Sequence, residues 1–85
     1  MRHFKDPAFQ PLYDVLPGHV RRRADKNFAL LKQDPKHPSL HFKRIRDDLW
    51  SVRVGLSYRA LAIEGNEGFQ WFWIGSHADY EAIIK

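Results

Sequence analysis

The hydrophobic residues follow a helical period up to about residue 33 and a strand period after it. A short helix is predicted between Pro7 and Val15, and a second helix between Pro17 and about Gln33. Asp34 ends the second helix, because the residue before a proline avoids helical backbone angles. The residues that define the buried sides of the two helices are Phe9, Leu12, Tyr13 and Leu16 in the first and Val20, Ala24, Phe28 and Leu31 in the second.

Four runs rich in β-branched and aromatic residues follow, at residues 40–46, 49–54, 58–64 and 69–74. The short segments between them predict hairpins and therefore an antiparallel meander. Ser76, with Asp79 three residues later, resembles a capping box that begins a final helix, whose apolar residues include Tyr80. We therefore expect one α+β domain over residues 1–85. Two N-terminal helices would pack on a four-stranded, mostly antiparallel sheet, and a short C-terminal helix would follow.

Aromatic residues are concentrated in the last predicted strand. Strict alternation places Phe69, Trp71 and Trp73 on one face of that strand. An aromatic ladder of this kind can stack nucleobases. A chain this short also needs its aromatic residues to build a core, and we favour the core interpretation.

Charge is distributed unevenly along the chain. Residues 1–46 hold eleven Lys and Arg against four Asp and Glu, a net charge of +7, whereas residues 47–85 hold three against six, a net charge of −3. A basic half indicates an anionic partner, most commonly nucleic acid. The absence of cysteine excludes disulfides, thiolate metal sites and a cysteine nucleophile. No apolar run resembles a signal peptide or a membrane span, so we expect a cytoplasmic protein without a membrane partner.

Cationic residues recur along the predicted sheet. Neighbouring side chains on one face of adjacent strands lie within about 5–8 Å of each other, so Lys43, Arg53 and Arg59 are expected to form a positive site. A fold tolerates such a cluster more readily when an anion binds there. The first strand carries the further candidate phosphate ligands His41, Arg44 and Arg46.

Histidines offer a second kind of candidate chemistry. His77 follows the last predicted strand at the start of the final helix, and an imidazole there can exchange protons near neutral pH. His37 and His41 flank Pro38, so their spacing is not helical, and no carboxylate cluster accompanies them. We therefore expect no metal site and no other cofactor.

Several ordered motifs resemble the RelE/ParE superfamily of bacterial toxin-antitoxin toxins, particularly its small RelE-like and HigB-like members. The motifs are HPSL at 37–40 followed by Phe42-Lys43, WSVRVG at 50–55, YRAL at 58–61 and WIGSHADY at 73–80.

The resemblance implies a toxin of a type II toxin-antitoxin system that cleaves mRNA in the ribosomal A site. A ribose 2′-OH would attack the adjacent phosphodiester without a metal ion, and the partners would be a cognate antitoxin, the ribosome and mRNA. By position, Arg59 and Arg53 would stabilise the charge of the transition state, and Lys43 would hold phosphate. His77 would be the general base or acid, and Tyr80 would supply the other proton transfer or stack on a base.

Two alternatives remain at this point: a ParE-like toxin that inhibits DNA gyrase without nuclease activity, and a degenerate member that acts only as an antitoxin-binding co-repressor. The sequence also departs from the family pattern. Ser51 lies where many family nucleases carry a lysine or a glutamate, and the N-terminal strand of the fold is reduced to Arg2–Lys5, with a short helix in its place.

Overall fold

A computed structural model describes residues 2–85 of the chain. The predicted helices are present, and the α+β class is confirmed. The strands are β1 (Arg2–Lys5), β2 (Lys43–Arg46), β3 (Leu49–Val54), β4 (Tyr58–Gly65) and β5 (Gly68–Ser76), and the helices are α1 (Phe9–Asp14), α2 (Gly18–Gln33) and α3 (His77–Ile84), with a 3₁₀ turn at Pro38–Leu40.

The sheet has five strands in the order β1-β5-β4-β3-β2. The predicted meander from β2 to β5 is confirmed as antiparallel, but the predicted count of four strands is wrong. β1 adds to the far edge in parallel with β5, and His3 pairs with Phe69. The first predicted strand also began too early, because Leu40 belongs to the 3₁₀ turn and His41 has a left-handed φ of 43°.

The helices α1 and α2 pack on one face of the sheet, called the α1/α2 face below. Its core includes Leu31 of α2, which is 2% exposed, and Trp71 of β5. The indole N–H of Trp71 donates to Nδ1 of His3 at 3.1 Å, and the His3 ring stacks on Phe69. Burial lowers the pKa of His3, and the chain's amino group and Lys32 lower it further. His3 is therefore a neutral hydrogen-bond acceptor that joins β1 to the core.

The helix α3 covers part of the opposite face, called the α3 face below. Side chains alternate along β4, so Ala60 enters the α1/α2 core while Arg59 and Leu61 point to the other side. Tyr80 of α3 lies against Arg59, and Arg46 of β2 donates to the backbone carbonyl of Ile84 at 2.7 Å. Leu61 has no exposed surface, so α3 and the sheet enclose a second, smaller apolar layer.

An irregularity in the pairing of β4 with β5 divides the predicted aromatic ladder. Ala62 pairs with Trp71, whereas the preceding Leu61 pairs with Trp73, which leaves Phe72 as the extra residue of a bulge. Trp71 therefore lies on the α1/α2 face with Phe69, and Trp73 lies on the α3 face. The prediction that all three aromatic side chains share one face is wrong, because strict alternation does not continue through a bulge.

Candidate functional site

Two arginines lie directly opposite each other on the α3 face. Arg53 of β3 pairs with Arg59 of β4, and side chains so paired have Cβ atoms about 4.5–5.5 Å apart. Within residues 2–85, Nε of Arg53 is the one buried side-chain nitrogen or oxygen without a hydrogen-bond partner. Burial lowers the pKa of Arg59, and the neighbouring charge of Arg53 lowers it further. The pair is a concentrated positive site with an unused donor.

Hydrogen bonds from side chains to backbone carbonyls hold this arginine pair in place. The side-chain amide of Asn27, which is 8% exposed, donates to the backbone carbonyl of Arg53 at 3.0 Å. On the neighbouring strand, Nη1 of Arg59 donates to the carbonyl of Tyr58 at 3.1 Å. Helix α2, which lies on the opposite face of the sheet, thus holds the end of β3 that carries Arg53.

His77 lies at the first position of α3, beside the turn between β3 and β4. Its backbone N–H donates to the carbonyl of Ser57 at 2.7 Å, and the side chain of Ser76 caps the helix by accepting from the N–H of Asp79. This contact confirms the predicted N-cap. Nε2 of His77 lies 3.1 Å from Oε1 of Glu81, and both side chains are about half exposed.

Glu81 is a candidate functional residue that the sequence analysis missed. The signal that could have found it is its spacing, because residues four apart lie on one side of a helix. When Nε2 of His77 donates to Glu81, Nδ1 remains the nitrogen able to accept a proton.

Tyr80 connects the histidine to the arginine pair. The side chain is buried at 5% exposure. Its ring centroid lies 5.7 Å from Cζ of Arg59 and 5.9 Å from the centroid of the His77 ring. The structure thus brings the four predicted catalytic residues, Arg53, Arg59, His77 and Tyr80, to one end of the α3 face.

The four predicted phosphate ligands of β2 do not form one patch. Lys43 pairs with Ser51 and therefore lies on the α3 face, two residues along β3 from Arg53. Arg44 pairs with Trp50, whose ring packs against the core, so Arg44 is on the α1/α2 side at the exposed sheet edge. The remaining two are Arg46, which binds the C-terminal end of α3, and His41, which is exposed before the strand begins.

The described part of the chain offers neither a metal site nor a membrane-spanning helix. Residues 2–85 contain no group of three or more histidine or carboxylate side chains arranged to hold a metal ion. No helix in that range is long and apolar enough to span a membrane.

The chain folds into a five-stranded sheet with two helices on one face and a third helix beside the arginine pair on the other. A family model described as the ParE-like toxin domain matches residues 18–82. The chain therefore belongs to the ParE-like toxin domain family, and the resemblance found in its sequence motifs is confirmed. No curated protein matches the sequence closely enough to count as a relative.

Two solved structures share this fold. The RelB-RelE antitoxin-toxin complex from Methanococcus jannaschii contains a chain that is 15% identical and matches with a TM-score of 0.74, covering 96% of this chain and 99% of that one. The isolated RelE toxin of E. coli is also 15% identical, with a TM-score of 0.64 and coverage of 95% and 93%. At this identity the likeness establishes the fold.

Proposed function

We propose that this protein is the toxin of a type II toxin-antitoxin pair and that it cleaves mRNA on the ribosome. The observation that carries the proposal is the opposed pair of Arg53 and Arg59, in which the buried Nε of Arg53 has no partner. A buried donor without a partner costs about 1–3 kcal/mol, and a phosphate oxygen is the acceptor that would remove this cost.

The side chains around the pair supply what RNA cleavage requires. A base removes the proton of the ribose 2′-OH, whose oxygen attacks the adjacent phosphorus, and an acid protonates the departing 5′-oxygen. The products are a 2′,3′-cyclic phosphate and a 5′-hydroxyl end. Arg53 and Arg59 would stabilise the negative charge on the phosphorane-like transition state.

His77 and Tyr80 are the proposed proton-transfer groups. Glu81 would orient the imidazole through Nε2 and leave Nδ1 to accept the 2′-OH proton. Tyr80, between the histidine and Arg59, would donate to the 5′-oxygen or contact the adjoining nucleotide. Lys43, further along the α3 face, would hold a neighbouring phosphate. No step of this scheme calls for a metal ion.

The partners follow from the same proposal. A free endonuclease of this kind would stop translation, so we propose that a cognate antitoxin covers the chain when it is inactive. The RelB-RelE antitoxin-toxin complex from Methanococcus jannaschii, one chain of which shares this fold, supports this pairing. Because its substrate would be mRNA on ribosomes, the protein would act in the cytoplasm.

The test adds the purified protein to an extract that is translating mRNA and measures cleavage of that mRNA. The comparison is the same mRNA and protein without ribosomes. We expect cuts only during translation, and we expect Arg59→Ala and His77→Ala to reduce the cleavage rate by about 100-fold or more. Arg22→Ala and His19→Ala are matched controls on the exposed side of α2 and should cleave at the normal rate.

Three outcomes would contradict the proposal. Normal cleavage by both Arg59→Ala and His77→Ala would remove the assigned site. No cleavage, together with inhibition of DNA supercoiling by gyrase, would show that the protein acts on gyrase. Binding to antitoxin and operator DNA without either activity would show a co-repressor.

A further inference from the structure

The three tryptophans of the chain differ in what their indole N–H groups contact. Trp50 donates to Oε1 of Glu64 at 2.9 Å, and Trp71 donates to Nδ1 of His3 at 3.1 Å. Trp73 makes no such hydrogen bond within residues 2–85, and its N–H is not among the buried unpaired atoms of that range. The indole N–H of Trp73 is therefore free to bond with solvent or a ligand, whereas the N–H groups of the other two are already bonded within the protein.

The bulge at Phe72 directs Trp73 toward the arginine pair. Its six-membered ring lies over Gly75, where an added Cβ would come within 2.5 Å of Cζ2 and 2.8 Å of Cη2. Gly75 pairs with Arg59, so this ring lies beside the arginine on the α3 face. The absence of a side chain at residue 75 is what allows the indole to occupy this place.

The Trp73 ring is partly accessible in this position. Its exposure is intermediate, and β1 pairs with β5 only from Gly68 to Trp71, so within residues 2–85 the segment from Phe72 to Ser76 has a strand partner, β4, on one side only. A partly exposed aromatic ring next to paired cations is a combination that binds single-stranded nucleic acid, because bases stack on the ring while phosphates contact the cations.

We propose that Trp73 is the stacking platform for a nucleobase of single-stranded RNA whose phosphate contacts Arg53 and Arg59. The inference rests on the proposed function and adds the base-binding residue of the same site. Stacking on a ring does not depend on base identity, so Trp73 positions the strand without selecting a sequence.

A structural role for Trp73 predicts different behaviour. Trp73 pairs with the fully buried Leu61, and any large apolar side chain could shield that residue. Trp73→Leu keeps an apolar cover but has no aromatic face, and Trp73→Phe keeps both. The two variants therefore separate stacking from shielding.

The experiment measures binding of a labelled single-stranded RNA hexamer and of hexamers in which one nucleotide at a time lacks its base. We expect Trp73→Leu to weaken binding of the complete hexamer by about 5- to 100-fold and Trp73→Phe to change it by less than about threefold. For one abasic position, the wild type and Trp73→Leu should bind equally, because the base that stacks is missing.

Fluorescence provides a second measurement that does not depend on the leucine variant folding. Stacking of a base should quench the emission of Trp73, and the quenching should disappear in Trp73→Phe, in which Trp50 and Trp71 still emit. The proposal is overturned if the hexamer does not bind at millimolar concentration, if Trp73→Leu weakens every abasic hexamer as much as the complete one, or if Trp73→Phe keeps the quenching.

Failure of this proposal is distinguishable from failure of the proposed function. Cleavage of mRNA during translation, together with hexamer binding that does not require Trp73, would support the proposed function and reject the stacking role of Trp73. Stacking of a base on Trp73 without any cleavage would support the stacking role and reject the endonuclease assignment.

Discussion

The two faces of the sheet are built for different purposes, although the same strands supply both. On β4, Ala60 is buried against α1 and α2, while its neighbour Arg59 faces a second arginine. The α1/α2 face consists of apolar side chains packed against one another, which stabilises the fold. The α3 face places two like charges opposite each other, which opposes folding unless an anion binds.

The α3 face is not uniformly polar, so the two faces differ less than the arginine pair alone suggests. Leu61 and Ser51 pair across β4 and β3 and are both almost completely buried, at 0% and 1% exposure. They lie in the middle of the sheet, two residues along the strands from the opposed arginines. The α3 face therefore combines a small apolar support with the charged site.

The largest effect is expected on the α1/α2 face. Trp71→Ala should lower the free energy of unfolding by about 3–5 kcal/mol, because the side chain is 2% exposed and its N–H bond to His3 is lost as well. Chains of this size are stable by about 5–15 kcal/mol, so much of that stability would disappear. Urea unfolding followed by circular dichroism measures the change. A loss no larger than that of Trp73→Ala would contradict the assignment of the two tryptophans to different environments.

A slightly smaller effect is expected from the apolar support under α3. Leu61→Ala should cost about 3 kcal/mol, since it removes a fully buried leucine from a layer that cannot collapse against rigid strands. The matched control is Ile63→Ala on the same face of the same strand, where the side chain is 45% exposed and the cost should be below about 1 kcal/mol. Equal urea midpoints for the two variants would show that α3 does not enclose Leu61.

The pH dependence of stability tests the role of His3. Because the pKa of His3 is lowered in the folded protein, the unfolded chain binds a proton at a higher pH than the folded chain does. The free energy of unfolding should therefore fall as the pH drops below about 6.5, by at most about 1.4 kcal/mol per pH unit. His3→Gln keeps an acceptor for the Trp71 N–H and should show a smaller fall between pH 7.5 and 5.5. Identical pH profiles for wild type and variant would exclude this role.

The smallest change in stability is expected at the arginine pair. Arg59→Ala should alter the free energy of unfolding by less than about 0.5 kcal/mol or increase it slightly, because the repulsion from Arg53 is removed. Inorganic phosphate at constant ionic strength should raise the melting temperature of the wild type and not that of Arg59→Ala, since a ligand stabilises only a fold that binds it. A destabilisation comparable to that of Trp71→Ala would end the distinction between the two faces.

Much of the architecture could be predicted because local patterns determine it. The helical period and Asp34-Pro35 predicted α2 to within a residue, and the short connections predicted the antiparallel meander. β1 could not be predicted in this way. It has four residues, two of them charged, and its partner β5 lies at the other end of the sequence, so no local signal specifies the pairing.

The candidate site was only partly predictable for a related reason. Residue types and strand assignments indicated Arg53 and Arg59 as neighbours, and the registry places them opposite each other. The position of Trp73 depends on one bulge, and a bulge shifts every later side chain to the other face. The partner of His77, Glu81, depends on the side-chain conformations of two half-exposed residues on α3, which neither the cap nor the apolar residues of the helix specify.

The parallel pairing of β1 with β5 also sets the order in which the molecule can be completed during synthesis. β1 leaves the ribosome first, yet it has no partner until residues 68–71 have followed. Closing so long a loop is slow compared with forming local helices and hairpins. His77 and Tyr80 emerge later still, in α3. Both arginines are therefore synthesised before the proposed proton-transfer groups. While the chain is still being made, the ribosome that makes it would not be exposed to a complete site.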